Sequence, residues 1–515
     1  MQVYKRIFNM KNVIILLSVV LFGFFTYCEV KAETKRCMGV SFVTEEELYQ
    51  MAFTPVEIGN IVSMEGHLTP YDEYSKKIYL PCVMDENTKF HDLDGKLTSV
   101  LPEYELFFLW ESAFENMQEA VMLGCNFTLF AIDSNGNFAS YPVIFTTFPM
   151  IDMKGEVIRI DEREREVYDG RVSIWDPSYQ NTRCLNIQDS QLEWHVRGYS
   201  SMSFQKKSLK LNLKEKNGNN NNLSLMSFES DDDYILNPMW FDDVKMREKL
   251  AIDLWNEMAA EKKSNFKMSG GEYCEILING EYQGLRLMQN KIEKNYLLID
   301  SDDILLKGNN VNLGTKKPPE EVYEVIFSEQ TQEVTYQTMR NFFYETDFSN
   351  VDLESWVDLQ LFLFLGNMRD NKDYKNIYYV IQRDEEQERL SFIPWDTDMS
   401  FGIYWEDGFR LMPESVELLC YRKEYDALLT QYPELKKMMA ERWKELRSSV
   451  FSEENILGKI DSYDRELTLS GALHRDYNVL GWNSWGGEDT LEELKIYIRK
   501  RLEILDKALV EYENE

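Results

Sequence analysis

Basic residues are short in this chain: 56 Lys and Arg stand against 89 Asp and Glu in 515 residues, a net charge of −33. Without a basic surface to release counterions from phosphates, a nucleic-acid binder is excluded, and so is a polybasic membrane-surface protein. Histidine is scarcer still, at four residues, and none of the seven cysteines forms a CxxC pair, which removes a zinc framework. The apolar run from Val13 to Phe25 is too short to span a bilayer comfortably. What remains is ample for folding: 44% hydrophobic and 13% aromatic residues are too many for a disordered chain. Domains usually hold about 100–200 residues, so two or three are expected.

The first residues read as an address. Lys5, Arg6 and Lys11 precede the apolar run, and Val30-Lys31-Ala32 offers small or apolar side chains where signal peptidase cuts. Residues 1–32 are therefore expected to be a signal peptide cleaved after Ala32, giving a secreted or cell-surface protein that touches a membrane only if this segment is retained. Cleavage leaves six cysteines, Cys37, Cys82, Cys125, Cys184, Cys274 and Cys420. Disulfides and buried free thiols are both open.

From residue 33 to 150 the chain reads as short strands, among them KKIYLPCVM, NFTLFAI and YPVIFTTF, broken by turn signals such as Asp133-Ser134-Asn135-Gly136. A small antiparallel, sandwich-like accessory domain is expected. Residues 151–515 mix strands and helices without regular alternation, which points to an α+β class. LEWHVRGYS and KKSLKLNL are alternating strands carrying Arg197, Lys206, Lys207 and Lys210. Apolar spacing predicts a helix over residues 240–260 with Asp242 and Asp243 in its first turn, and Asn279-Gly280 predicts a type I′ hairpin. WVDLQLFLFLGNMR reads as a buried helix, and the tail LEELKIYIRKRLEILDKALVEY as a long amphipathic one.

The chemistry concentrates between Asp370 and Gly402. DNKDYKNIYYV places Asp370, Asp373 and Asn376 on a polar loop between an apolar helix and an apolar strand, and FIPWDTDMSFG follows after a charged turn. In extended backbone Asp396 and Asp398 face one side, with Trp395 and Thr397 on the other. Carboxylates in so aromatic a frame fit poorly in a core unless a cation neutralises them. Mg²⁺ accepts one or two carboxylates, amide oxygens and phosphate oxygens. An Asp and an Asn on one loop, followed by an Asp at the end of a hairpin, is the arrangement that protein kinases use.

At these residues the sequence resembles the CotH family, spore-coat protein H and its secreted relatives. HVRGYSSMSFQKKSLKLNL, YILNPMWFDDVKMREKLAIDLWNEM with Asp243 and Arg247, INGEYQGLRLM, DNKDYKNIYYV and FIPWDTDMSFG carry the likeness, which runs from about Met150 to Val510. The resemblance implies a divergent kinase-like fold and an atypical secreted protein kinase using ATP with Mg²⁺ or Mn²⁺. On that likeness Asp373 is the catalytic aspartate and Asn376 its metal-side companion. Asp396, with Asp398 beside it, binds metal. Lys207, with Lys206 or Lys210 as substitutes, and Arg197 meet the phosphates. The expected partner is a basic, Ser/Thr-rich protein of the envelope, spore coat or exterior. One departure stands out: Gln289-Asn290-Lys291 occupies the place where relatives carry a Glu. That opens a non-catalytic surface or scaffold role, and the carboxylates alone also permit a metal-dependent phosphoester hydrolase. A second kinase-like triplet, His474-Arg475-Asp476, lacks the following Asn, lies in a Trp- and Gly-rich stretch, and reads as a decoy.

Overall fold

The computed structural model describes residues 36–515 except 86, 90–92, 94, 110–119, 122–126, 156–165, 179–184, 199, 310–317, 372–374, 384–386, 405–411, 414–422, 481–489 and 515. The signal-peptide expectation and Cys125, Cys184 and Cys420 lie outside the described residues.

The N-terminal part is β-rich. An eight-stranded sheet runs from the Arg36–Cys37 edge strand to Tyr71–Asp72, beside a three-stranded sheet of Val62–Met64, His67–Leu68 and Leu97–Ser99. The large sheet is mixed rather than antiparallel. Val40–Val43 runs parallel to Tyr104–Leu109, and Asn137–Thr146 runs parallel to Lys77–Pro81 and Thr54–Pro55. Parallel neighbours need long connections, and about sixty residues separate each of the first two pairs, a distance that local pattern cannot encode. The core of this part includes Met150, Trp175, Leu277 and Tyr282 from the next element, so the two pack as neighbours.

That element is a closed seven-stranded barrel. Met150–Gly155, Tyr168–Asp176, Asn186–Arg197, Ser208–Lys214, Asp233–Asn237, Glu281–Asn290 and Glu272–Ile278 follow one another around it. An odd number of strands cannot close with antiparallel pairs alone, and the ring is completed by one parallel pair, Met150–Gly155 with Glu272–Ile278. Alternation supplies the interior. Leu192, Trp194 and Val196 on one strand, and Leu209, Leu211 and Leu213 on the next, point inward into one cluster. Asn279 and Gly280, both at positive φ, turn the hairpin as the Asn-Gly pair predicts.

The rest is a four-stranded antiparallel sheet and a helical body. The sheet order is Tyr323–Phe327, Ile304–Gly308, Ile377–Arg383 and Glu388–Pro394. Leu353–Gly366 is apolar all round and correspondingly buried from Trp356 onward. Asp352 caps its start by accepting from Glu354 N and Ser355 N, and Asn367, at φ +50°, ends it in the left-handed conformation. The 24-residue Leu491–Asn514 helix packs on this body as its amphipathic pattern predicts. Among the described residues no helix is long and apolar enough to cross a membrane.

Two expectations shift. The helix expected from residue 240 begins at Arg247, because Met239 and Lys245 take positive φ and break the run before it. Asp242 therefore caps from outside, accepting from Met246 N and Arg247 N at 2.7 Å each. The His474-Arg475-Asp476 triplet sits on a helix, Ala472–Leu480, rather than in a loop. Arg475 and Asp476 turn to the barrel and pair with Glu275 and Lys206, contacts that local composition does not reveal.

Candidate functional site

The buried Leu353–Gly366 helix delivers the chain directly into the loop that holds Asp370, Asn371 and Asn376. Asn371 is the loop's staple. Its amide donates to the carbonyls of Asn376 (3.0 Å) and Trp395 (2.8 Å), and Trp395 N donates to the same Asn376 carbonyl at 2.8 Å. The loop and the Trp395-Asp396 segment are thereby locked together. Asp370 accepts from Lys375 Nζ with both oxygens, at 2.8 Å each, and from the Asn376 amide at 2.8 Å. That orientation leaves Asn376 Oδ1 without a hydrogen-bond donor among the described residues. Asp373, the expected catalytic residue, lies outside the described residues.

The segment after Glu388–Pro394 is not an extended strand. Asp396 has φ +55° and Phe401 φ +49°, a conformation that costs a non-glycine residue about 1–2 kcal/mol and persists only where its surroundings impose it. The sidedness expected from sequence nonetheless holds: Trp395 and Thr397 are buried while Asp396 and Asp398 are partly exposed. The far end is clamped. Phe401 N donates to Gly366 O at 2.7 Å, Arg247 Nε donates to Phe401 O at 3.2 Å, and Gly402 (φ +98°) lies against the Tyr497 ring, where a Cβ would come within 3.0 Å of ring carbons.

Glu248, which sequence reasoning missed, completes the carboxylate group. It sits in the first turn of the Arg247–Glu261 helix, 3% exposed, and accepts from Gln289 Nε2 and Thr397 Oγ1 at 3.0 Å each. Burial, and then the charge of Asp396, push it up to about 7. Asp398 is held well above the usual carboxylate range by desolvation, then by Asp396, Glu248 and Asp370. The signal for Glu248 was an acid inside an otherwise apolar helical stripe, which is easily read as a solvated position. Gln289 reaches the carboxylates, whereas Asn290, on the opposite face of the same strand, accepts from Gly270 N at 2.7 Å. The departure at Asn290 thus serves the segment that enters the Glu272–Ile278 strand.

The sequence-named cations divide. Arg197 ends its barrel strand with the guanidinium 6.0 Å from the Trp395 ring centre, beside Asp396. The three lysines have other engagements. Lys206 is buried against Asp476 at 2.7 Å, Lys207 donates to the Met202 carbonyl at 2.8 Å, and Lys210 pairs with Asp233 at 3.1 Å. Each of these partners satisfies an ammonium that burial would otherwise penalise, and sequence cannot show pairings such as Lys206 with Asp476, 270 residues apart.

Residues 194–505, more than half of the chain, match a family model described as CotH kinase protein. The chain belongs to the CotH kinase protein family. No curated protein sequence matches it. The family match covers every side chain of the site described above, from Arg197 through Glu248 to Asp398.

Among the described residues no three His, Cys, Asp or Glu side chains converge as a ready metal cage. The donor set is nevertheless of the right kind. It is all oxygen, with two partly exposed carboxylates and an amide oxygen, and the charge of Asp396 raises the pKa of Asp398, a crowding that a divalent cation would relieve. Mg²⁺ characteristically takes one or two carboxylates and completes its shell with water and phosphate. A dry, fully built cage is not what that ion requires.

Proposed function

We propose that this CotH family member is a secreted, metal-dependent protein kinase that transfers the γ-phosphoryl group of ATP to Ser or Thr hydroxyls of an envelope, spore-coat or extracellular protein. The observation that carries the reading is that Glu248, from a distant helix, accepts at 3.0 Å from Oγ1 of Thr397, the residue between Asp396 and Asp398, with no basic side chain hydrogen-bonded to any of the three acids among the described residues. Asp396, Asp398 and Asn376 would hold Mg²⁺ or Mn²⁺, which supplies charge neutralisation at phosphoryl oxygens. Glu248 orients this set from behind through Thr397. Asn371 ties Asn376 and Trp395 together; Asp373, which lies between Asn371 and Asn376 in the sequence, would accept the proton of the attacking hydroxyl. Phosphoryl transfer asks for positioning and charge offset more than covalent chemistry, and anchored loops supply the first. The chain's strong negative charge favours a basic, Ser/Thr-rich protein substrate.

Incubation of the protein with γ-labelled ATP and Mg²⁺ or Mn²⁺, beside Asp373→Ala and Asp396→Ala, tests the reading. Label on protein or on a basic Ser-rich peptide, lost in both variants, is expected. Label released only as inorganic phosphate would make the protein a hydrolase. No label and no metal-dependent nucleotide binding would leave the scaffold role standing.

A further inference from the structure

Lys307 takes no part in the family likeness read from the sequence, yet it is placed where a ligand would need it. It lies on the Ile304–Gly308 strand, paired with Tyr378 in the sheet. Its ammonium is 5.4 Å from the Trp395 ring centre and 5.6 Å from that of Tyr378, and the two rings meet edge to face at 5.7 Å. Arg197 approaches the same Trp395 ring at 6.0 Å from the barrel side. Two cations of unlike origin therefore share one indole. Neither makes a side-chain hydrogen bond or an ion pair with any described residue; Glu324 and Asp396 act on Lys307 only at longer range, and Lys291, itself tied to Asp233, adds positive charge.

Two like charges are not expected to converge over one ring in a half-buried place with no anion bonded to either of them. Ring faces offset only part of that repulsion. Asp396 follows Trp395 immediately, so the pair of cations flanks the carboxylate assigned above to the metal. An anion that touches Lys307, Arg197 and a cation on Asp396 at once must carry several oxygens in a row.

We infer that Lys307 and Arg197, seated on Trp395, form the subsite for the phosphate chain of a nucleoside triphosphate, and that Lys307 rather than Lys206, Lys207 or Lys210 is its lysine. The inference rests on the kinase reading, and deepens it by moving the lysine contact from Lys206, Lys207 and Lys210, at the start of the Ser208–Lys214 strand, to the four-stranded sheet. Arg supplies a planar fork and Lys a compact point charge, a combination suited to adjacent phosphates.

Calorimetric titration of the full chain with ATP, tripolyphosphate and adenosine, each with Mg²⁺, tests it. Lys307→Met should weaken ATP and tripolyphosphate about tenfold or more, with Arg197→Gln adding a comparable loss and Lys307→Arg restoring part of it. Adenosine binding should stay unchanged, and the ligand-free melting temperature of Lys307→Met should stay level or rise. Lys206→Met should instead lower the melting temperature. Wild-type tripolyphosphate affinity in Lys307→Met, with the parent chain binding normally, would overturn this inference and leave the kinase reading intact. Failure of the parent chain to bind either polyphosphate would overturn both.

Discussion

Two groups of charged side chains lie beside the barrel, and they are resolved in opposite ways. In the first, every charge has its counterpart. Glu275, with no exposure at all, accepts from Arg475 Nε and Nη2 at 2.8 and 2.7 Å, from Thr146 Oγ1 at 2.6 Å and from the Tyr282 hydroxyl. Asp476 takes Lys206 at 2.7 Å and Leu285 N at 2.9 Å, so close to the chain that Gly284, at φ +83°, has no room for a Cβ. In the second, Asp396, Asp398 and Glu248 have no cation hydrogen-bonded to them among the described residues, while Lys307 and Arg197 share the Trp395 ring and feel Asp396 only at longer range. A buried charge is tolerated when partners surround it, as at Glu275, and the fold uses such pairs to join barrel, N-terminal sheets and helices. Charges left without a bonded partner around Trp395 are what a phosphate–metal ligand would complete. The kinase-like triplet is thus architecture, and the less conspicuous acids are the candidate site.

Breaking the matched group should have the largest effect. Asp476→Ala strands the buried Lys206 ammonium, and removing one partner of a buried pair costs about 3–5 kcal/mol; chemical denaturation should show it, with any loss of phosphotransfer following the loss of folded protein. Breaking the backbone clamp comes next. Gly402→Ala places a Cβ against Tyr497 at a φ that side chains rarely adopt, a strain of about 1–3 kcal/mol, and should cut activity beyond its effect on stability because Phe401 and Gly402 fix the Asp396–Asp398 segment.

Acidity sharpens the comparison further. Glu248 is raised to about 7 when folded, from an ordinary 4.5, so between those values the folded chain holds a proton that the unfolded chain has released. Its share of stability is therefore full below about 4.5 and is lost as pH rises through 7. Asp476 is displaced the other way: Lys206 and Lys245 outweigh burial and hold it below its ordinary 3.8. Its contribution is present above that value and lost as pH falls through the lower folded value. Metal-free melting curves should accordingly soften at both ends, and Glu248→Gln should flatten the alkaline side alone. The smallest effect concerns thiols. Cys37, pushed up to about 12 by burial, and Cys82 and Cys274, raised likewise, are buried and unpaired, and none should react with iodoacetamide until the chain unfolds.

Much of this site was legible before any fold was known. The FIPWDTDMSFG run announced Asp396 and Asp398 because acids in an aromatic frame violate ordinary burial, and Asn279-Gly280 announced its hairpin because so few dipeptides accept two positive φ values. Glu248 and Lys307 were not legible. Glu248 is one of several charged residues on its helix and Lys307 the one charge on an apolar strand, and only tertiary packing shows which neighbours each meets. The same holds for the partner of Lys206 and for the parallel pair that closes the barrel, contacts made across stretches of chain with no shared period. Helix boundaries failed for a local reason, positive φ at Met239 and Lys245, which their side chains do not advertise.

The most direct test of the central claim is the melting of Asp396→Asn, with and without Mg²⁺ and ATP. If Asp396 is an unmatched charge held for a ligand, the substitution should raise ligand-free stability by about 1 kcal/mol and abolish the stabilisation that Mg²⁺ with ATP gives the parent chain. A variant that melts lower than the parent without ligand, yet is stabilised by Mg²⁺ and ATP to the same extent, would contradict the account.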